Sequence, residues 1–226
     1  MKYRGLLLIL ASVALILILT GCGQKKKPAA NEPGAETEVA ETSIPDTDIK
    51  GKGPLQVRSG IIEYSYSGDK TGKSTQYFDD YGMKNAVYTE LTSHGETSKG
   101  WTVTIGEDQY MWNLSNTGQG MKTKNPMMKT LMDSSGEDIL SYIASMYEQM
   151  GMTESGTEMC QGKECNVFSG PVGKVLIWKG IMMKMEMSVG TMVSRQEVTS
   201  IKTNVAVDNK YFRIPDNITF SEIPGF

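Results

Sequence analysis

Ile181-Met182-Met183-Lys184-Met185-Glu186-Met187-Ser188-Val189 is the stretch that decides the fold class. Apolar side chains recur at every second position from Ile181, and Lys184, Glu186 and Ser188 stand between them. A period of two predicts a β-strand with one buried face and one wet face. We therefore expect five side chains to share the inner face of a sheet: Ile181, Met183, Met185, Met187 and Val189.

The same alternation recurs on both sides of this strand, with turn residues between the runs. It predicts further strands at Leu55–Tyr66, Ser74–Tyr81, Asn85–Leu91, Trp101–Gly106, Gln109–Leu114, Glu158–Cys160, Cys165–Ser169, Lys174–Trp178, Val193–Lys202 and Tyr211–Ile214. Short turns between runs favour hairpins between consecutive strands. The sequence thus predicts an α+β, mainly β fold with a large curled antiparallel sheet covered by one or two helices.

One segment has helical spacing instead. Its apolar side chains lie on one face of a helix: Ile139, Leu140, Ile143, Met146, Tyr147 and Met150. Ser134 or Ser135 can cap its start, and Gly151 can end it. We expect Ile143, Met146 and Tyr147 to pack against the sheet. A shorter helix is predicted around Pro126–Met132.

The N-terminus has the pattern of a secretory signal. Lys2 and Arg4 precede an apolar run at 6–19, and Leu19-Thr20-Gly21-Cys22 follows as a lipobox. The run is shorter than the roughly 20 residues that a membrane-spanning helix needs. We predict that residues 1–21 are removed, and that Cys22 carries lipids that anchor the protein to a membrane of the cell envelope. Gly23 permits sorting to an outer membrane, facing the periplasm, where such a membrane exists.

Residues 22–54 are rich in Lys, Pro, Ala, Glu and Thr and poor in large apolar side chains. Such a segment cannot bury enough surface to offset its ordering entropy, so we predict a disordered tether. Residues 55–226 then form one β domain. The formal net charge is −3 and the basic residues are scattered, which argues against nucleic acid as a partner.

Two cysteines remain besides Cys22. Cys160 and Cys165 flank Gln161-Gly162-Lys163-Glu164. In an exported protein this pair predicts a disulfide across a hairpin turn. A metal site would need more ligands nearby, and a redox pair is usually spaced more closely. These two alternatives stay open.

The sequence offers little catalytic chemistry. His94 is the only histidine and lies in a predicted turn, while the adjacent Asp79 and Asp80 would point to opposite faces of a strand. The glycine spacing in Ser67–Ser74 does not fit a phosphate-binding loop. We expect no enzyme, cofactor or metal. The 16 methionines could bind Cu(I), but their alternation favours the lining of a core or cavity.

Four segments resemble the superfamily of LolA, LolB and LppX, bacterial envelope proteins: Gly60–Tyr64, Gln76–Gly82, Trp178–Lys184 and Phe212–Pro215. The resemblance implies a half-open β-barrel whose concave apolar cavity holds acyl chains or another amphiphile. A lipid anchor favours a fixed binder over a shuttling carrier. The alternative is an envelope lipoprotein that binds a protein partner or serves a structural role with no ligand.

Overall fold

Twelve β-strands form one curled, open sheet in the computed structural model of the chain, which describes residues 53–115, 118–125, 128 and 139–223. The strands are β1 (Gly60–Gly68), β2 (Thr71–Asp79), β3 (Lys84–Ser93), β4 (Glu96–Ile105), β5 (Asp108–Asn113), β6 (Gln119–Lys124), β7 (Thr153–Cys160), β8 (Lys163–Gly170), β9 (Gly173–Trp178), β10 (Ile181–Val189), β11 (Met192–Thr203) and β12 (Thr219–Glu222). The α-helix of this part of the chain is α1 (Ile139–Gln149). The predicted α+β, mainly β fold with a half-open barrel is confirmed.

Two meanders of hairpins build the sheet: the first consists of β1 to β6 and the second of β7 to β11. Its order is β12-β6-β5-β4-β3-β2-β1-β11-β10-β9-β8-β7. β1 and β11 join the two meanders by antiparallel pairing from Gly60 opposite Thr203 to Gly68 opposite Ser194. The exception to antiparallel pairing is β12, which runs parallel to β6. Neither β6 nor β12 was predicted, because QGMKTK and TFSE lack an apolar alternation.

The central apolar cluster lies where the two meanders meet. Ile62, Phe78 and Val198 are fully buried in it, and Leu55 and Val57 complete it from the incoming chain. The predicted start of the first strand at Leu55 is wrong. Residues 55 and 56 cross the end of the sheet, where Leu55 N donates to Tyr81 O and Gln56 N donates to Lys179 O, both at 3.0 Å.

A second cluster covers β3 to β5. Ala86, Val103 and Trp112 pack under the C-terminal segment that carries Phe212. The predicted strand at Tyr211–Ile214 is wrong: Asn209–Phe212 is a 3₁₀ helix. Its cap explains the difference, because the Asp208 carboxylate accepts a 2.8 Å hydrogen bond from Lys210 N.

Helix α1 packs on a third cluster, which the second meander supplies. The helix ends as predicted at Gly151, which has a φ of 75°. Met152 N donates to Tyr147 O at 3.0 Å and Gly151 N donates to Glu148 O at 2.9 Å, the Schellman pattern of helix ends. The predicted caps Ser134 and Ser135 lie outside the described residues, as does the helix predicted at 126–132 apart from Met128.

Candidate ligand-binding site

A bulge in β10 divides the five side chains predicted to share a face, and Val189 at the end of the strand is exposed. Along β9, Met182 lies opposite Ile177 and Lys184 lies opposite Leu176, so Met183 is an extra residue. One extra residue reverses the alternation relative to the neighbouring strand. Ile181 and Met183 join the central cluster, where they are 3% and 0% exposed, while Met185 and Met187 pack against the cluster under α1. The predicted common face is therefore not formed.

A layer of half-buried side chains, contributed by α1 and by the sheet, lies where the helix packs. We call it the methionine layer, and it consists of Ile143, Ala144, Tyr147, Met150, Val172, Met182, Met185 and Met187. The Tyr147 ring stacks on Phe168 with ring centroids 5.1 Å apart. Burial raises the pKa of the Tyr147 phenol to about 12. Of the predicted helix residues, Ile143 and Tyr147 lie in this layer, and Met146 is half-buried outside it.

An open cavity of about 330 Å³ lies at one end of the second meander. Its lining comes from the β8–β9 turn, the end of β10 and the start of β11: Gly170, Pro171, Val172, Gly173, Lys174, Glu186, Met187, Ser188, Val193 and Arg195. Val172 and Met187 belong to both the cavity and the methionine layer. The cavity and the methionine layer therefore share these two side chains.

Three charged side chains of the cavity stand in register across neighbouring strands. Lys174 of β9 pairs with Glu186 of β10, which pairs with Arg195 of β11. Lys174 Nζ also bonds to Glu158, and this hydrogen bond lowers the pKa of the Glu158 carboxyl. The Glu186 carboxylate lies 3.0 Å from Lys184 Nζ. Within the described ranges, Arg195 has no ion pair.

Cys160 and Cys165 are both free and buried, so the predicted disulfide is not present in the structure. The strand register gives the reason. Cys160 lies opposite Lys163 and Cys165 lies opposite Glu158, so the two thiols are diagonal neighbours and do not face each other. The Cys165 thiol is 3.4 Å from Lys163 O, and burial raises its pKa to about 11.

The remaining candidates show no catalytic constellation. His94 sits in an exposed turn with Nδ1 3.1 Å from Ser93 Oγ. Asp79 caps the following turn by accepting from Asp80 N at 2.8 Å. Among the residues that the structure describes, no group of three His, Cys, Asp or Glu side chains is placed to hold a metal ion. Cys22 lies outside them.

Sequence reasoning missed the charged residues of the cavity. The alternation assigns Glu186 to the wet face of its strand, and nothing in the sequence singles out Lys174 or Arg195. The register that aligns the three residues depends on the β10 bulge, which no local pattern marks.

The described part of the chain also contains no helix long and apolar enough to span a membrane.

Comparisons with known proteins support the fold and no more. The sequence matches no protein-family model and no curated protein. An uncharacterised conserved protein from Thermus thermophilus is similar in structure, with a TM-score of 0.50 and 8% identity over 74% of this chain and 91% of that one.

Two further similar structures align less well. PNGF-II has a TM-score of 0.40 and 12% identity over 74% of this chain and 32% of its own. The MucA/MucB complex of Pseudomonas aeruginosa gives 0.38 and 13% over 73% of this chain and 58% of that one. At these scores neither likeness supports a shared function.

Proposed function

We propose that this protein is a lipid-anchored envelope lipoprotein, related to the LolA-like superfamily, whose β domain binds an amphiphile without catalysis. The observation that carries the proposal is that the methionine layer and the open cavity share Val172 and Met187. Anchoring through Cys22 and residence on an envelope membrane are part of the proposal and rest on the N-terminal sequence.

Two physical properties of the site favour an apolar ligand. Methionine is flexible and polarisable, so a layer of half-buried methionines can repack around an inserted chain. A volume of about 330 Å³ lies at the lower end of small-molecule sites, which range over roughly 300–1,000 Å³. Ile181 and Met183 lie in the packed core, so the ligand would enter beside Met187 and not beside these two residues.

The test uses the Cys22→Ser protein, which lacks the lipid attachment site, and the uncharged apolar fluorophore N-phenyl-1-naphthylamine. We expect saturable binding that Met187→Trp weakens by about tenfold or more, because the larger indole ring occupies space in the cavity. Met192→Trp is the matched control, since Met192 is 64% exposed. An absence of saturable binding, or equal loss in both variants, contradicts the proposal.

Docking of another envelope protein is the second candidate function. The observation that favours it is the exposure of large apolar side chains at two hairpin tips: Met159 is 64% exposed next to the β7–β8 turn, and Met192 is 64% exposed next to the β10–β11 turn. Crosslinking in intact cells through a photoreactive residue at position 192 tests it. A specific adduct that Met187→Trp leaves unchanged favours docking.

A further inference from the structure

We propose that the cavity at the β8–β9 turn is an oxyanion subsite, in which Arg195 binds a carboxylate or phosphate group at the polar end of the amphiphile. The proposal rests on the function proposed above and adds the charge class of the ligand. Three features of the cavity support it: the charges that line it, the donor geometry of the guanidinium and the shape of its walls.

Among the described residues, the charge balance of the cavity leaves one cation without an ion pair. Lys174 is bonded to Glu158, and Glu186 is bonded to Lys184 at 3.0 Å. Arg195 has no such carboxylate in the described part of the chain, although Glu186 is its cross-strand neighbour. The charges of these four paired groups cancel, so the guanidinium leaves the site with a net charge of about +1. An anion is the ligand charge that this balance favours.

The guanidinium also has the appropriate geometry. It is planar, always charged at neutral pH and presents a rigid fork of N–H donors that matches a carboxylate or a phosphate. Arg195 is exposed at the start of β11, so its donors are reachable from solvent at the cavity. A neutral ligand would leave these donors to water.

The rest of the lining limits what can be attached to the oxyanion. Pro171, Val172, Met187 and Val193 are the apolar part of the lining. Gly173 supplies bare backbone, and a Cβ there would meet Glu186 O at 2.0 Å, so the turn lies against β10 with no room for a side chain. A cation next to apolar side chains fits an anionic headgroup with an aliphatic body.

Four probes with a ten-carbon chain test the inference on the Cys22→Ser protein at pH 7.5 and low salt: decanoate, decyl phosphate, decanol and decyltrimethylammonium. We expect both anions to bind about tenfold or more tightly than decanol, and the cationic probe to bind most weakly. Arg195→Gln should remove the preference for anions while leaving decanol affinity unchanged. Arg213→Gln, which removes an exposed arginine outside the cavity, should leave all four affinities unchanged.

The outcomes separate the two proposals. If decanol and decanoate bind equally, or if Arg195→Gln keeps the preference, the oxyanion subsite is overturned while amphiphile binding stands. If none of the four probes binds, the proposed function fails first. Tighter binding of decanoate identifies a fatty-acid type of ligand, whereas tighter binding of decyl phosphate identifies a phospholipid type. Both of these results support the subsite.

Discussion

At the residue scale, Cys165 illustrates how burial controls a thiol. Its side chain is fully buried in the central cluster, and the thiolate needed for reaction is disfavoured because the pKa is raised to about 11. At pH 8 only about one molecule in a thousand carries the thiolate, against about a quarter for an ordinary thiol of pKa about 8.5. Cys160 is shielded in the same cluster.

We predict that both thiols of the Cys22→Ser protein label slowly with Ellman's reagent in the folded state. After unfolding in guanidinium without reductant, two thiols per chain should label at once, because the structure leaves both cysteines free. Recovery of fewer than two thiols from protein taken from the oxidising side of the membrane would show that the pair is bridged after all.

At the element scale, the periodic segments were the predictable ones. The bounds of β10 agree with the prediction at Ile181–Val189, and α1 ends where Gly151 indicates. The bulge at Met183 could not be predicted, since it arises from pairing with β9 and not from the strand's own composition. The strand predicted at Tyr211–Ile214 is wrong for a local reason, because Asp208 caps a 3₁₀ helix over Asn209–Phe212.

The β8–β9 hairpin depends on a glycine at Gly173. This residue has a φ of 149°, and an added Cβ would lie 2.0 Å from Glu186 O, on backbone that cannot move alone. We predict that Gly173→Ala lowers the free energy of unfolding by more than about 3 kcal/mol. Gly190→Ala is the control, because its φ is 64° with open space around it, and it should cost about 1–2 kcal/mol. Equal losses in urea melts would contradict this account.

The packing of α1 should depend on alkaline pH through Tyr147. The phenol has a pKa of about 12 in the folded state against 10.0 when exposed, so the folded state holds its proton more strongly. The protonated Tyr147 phenol makes its full contribution to folding stability below about pH 10. As the pH rises through about 12, this contribution is lost and the free energy of unfolding falls by on the order of 2 kcal/mol.

We therefore predict that Tyr147→Phe moves the alkaline unfolding midpoint, followed by near-ultraviolet circular dichroism, to higher pH. Tyr142→Phe lies on the same helix outside the methionine layer and should leave the midpoint unchanged. A shift of the same size in both variants would rule out burial of Tyr147 as the cause.

At the scale of the whole molecule, the overall architecture was predictable while the site was not. Alternation and hairpin turns indicate a curled sheet, because the apolar–polar pattern of each strand is enough to identify its buried face. The cavity instead needs Lys174, Glu186 and Arg195 in one row, and that row is set by the registers β9–β10 and β10–β11 together. The register over several strands depends on every pairing between them, so a bulge of one residue changes which side chains lie in the same row.

Membrane attachment is predicted to depend on one thiol. Cys22→Ser should move the protein from the membrane fraction to the soluble fraction of broken cells, because its acyl chains are lost with the thiol. Cys160→Ser retains the lipobox and should stay with the membrane, and its melting temperature, measured in parallel, checks that it is folded. Retention of Cys22→Ser on the membrane would show that another segment anchors the chain.

The crossing of residues 55 and 56 over the end of the sheet sets the end of the domain at which the chain enters. The chain enters beside Tyr81 and Lys179, whereas the cavity opens at the far ends of the same hairpins, beyond Gly173. Strand β9 alone separates the two ends by roughly 20 Å at about 3.4 Å per residue. The preceding chain therefore enters at one end of the domain and leaves the cavity mouth at the other end uncovered.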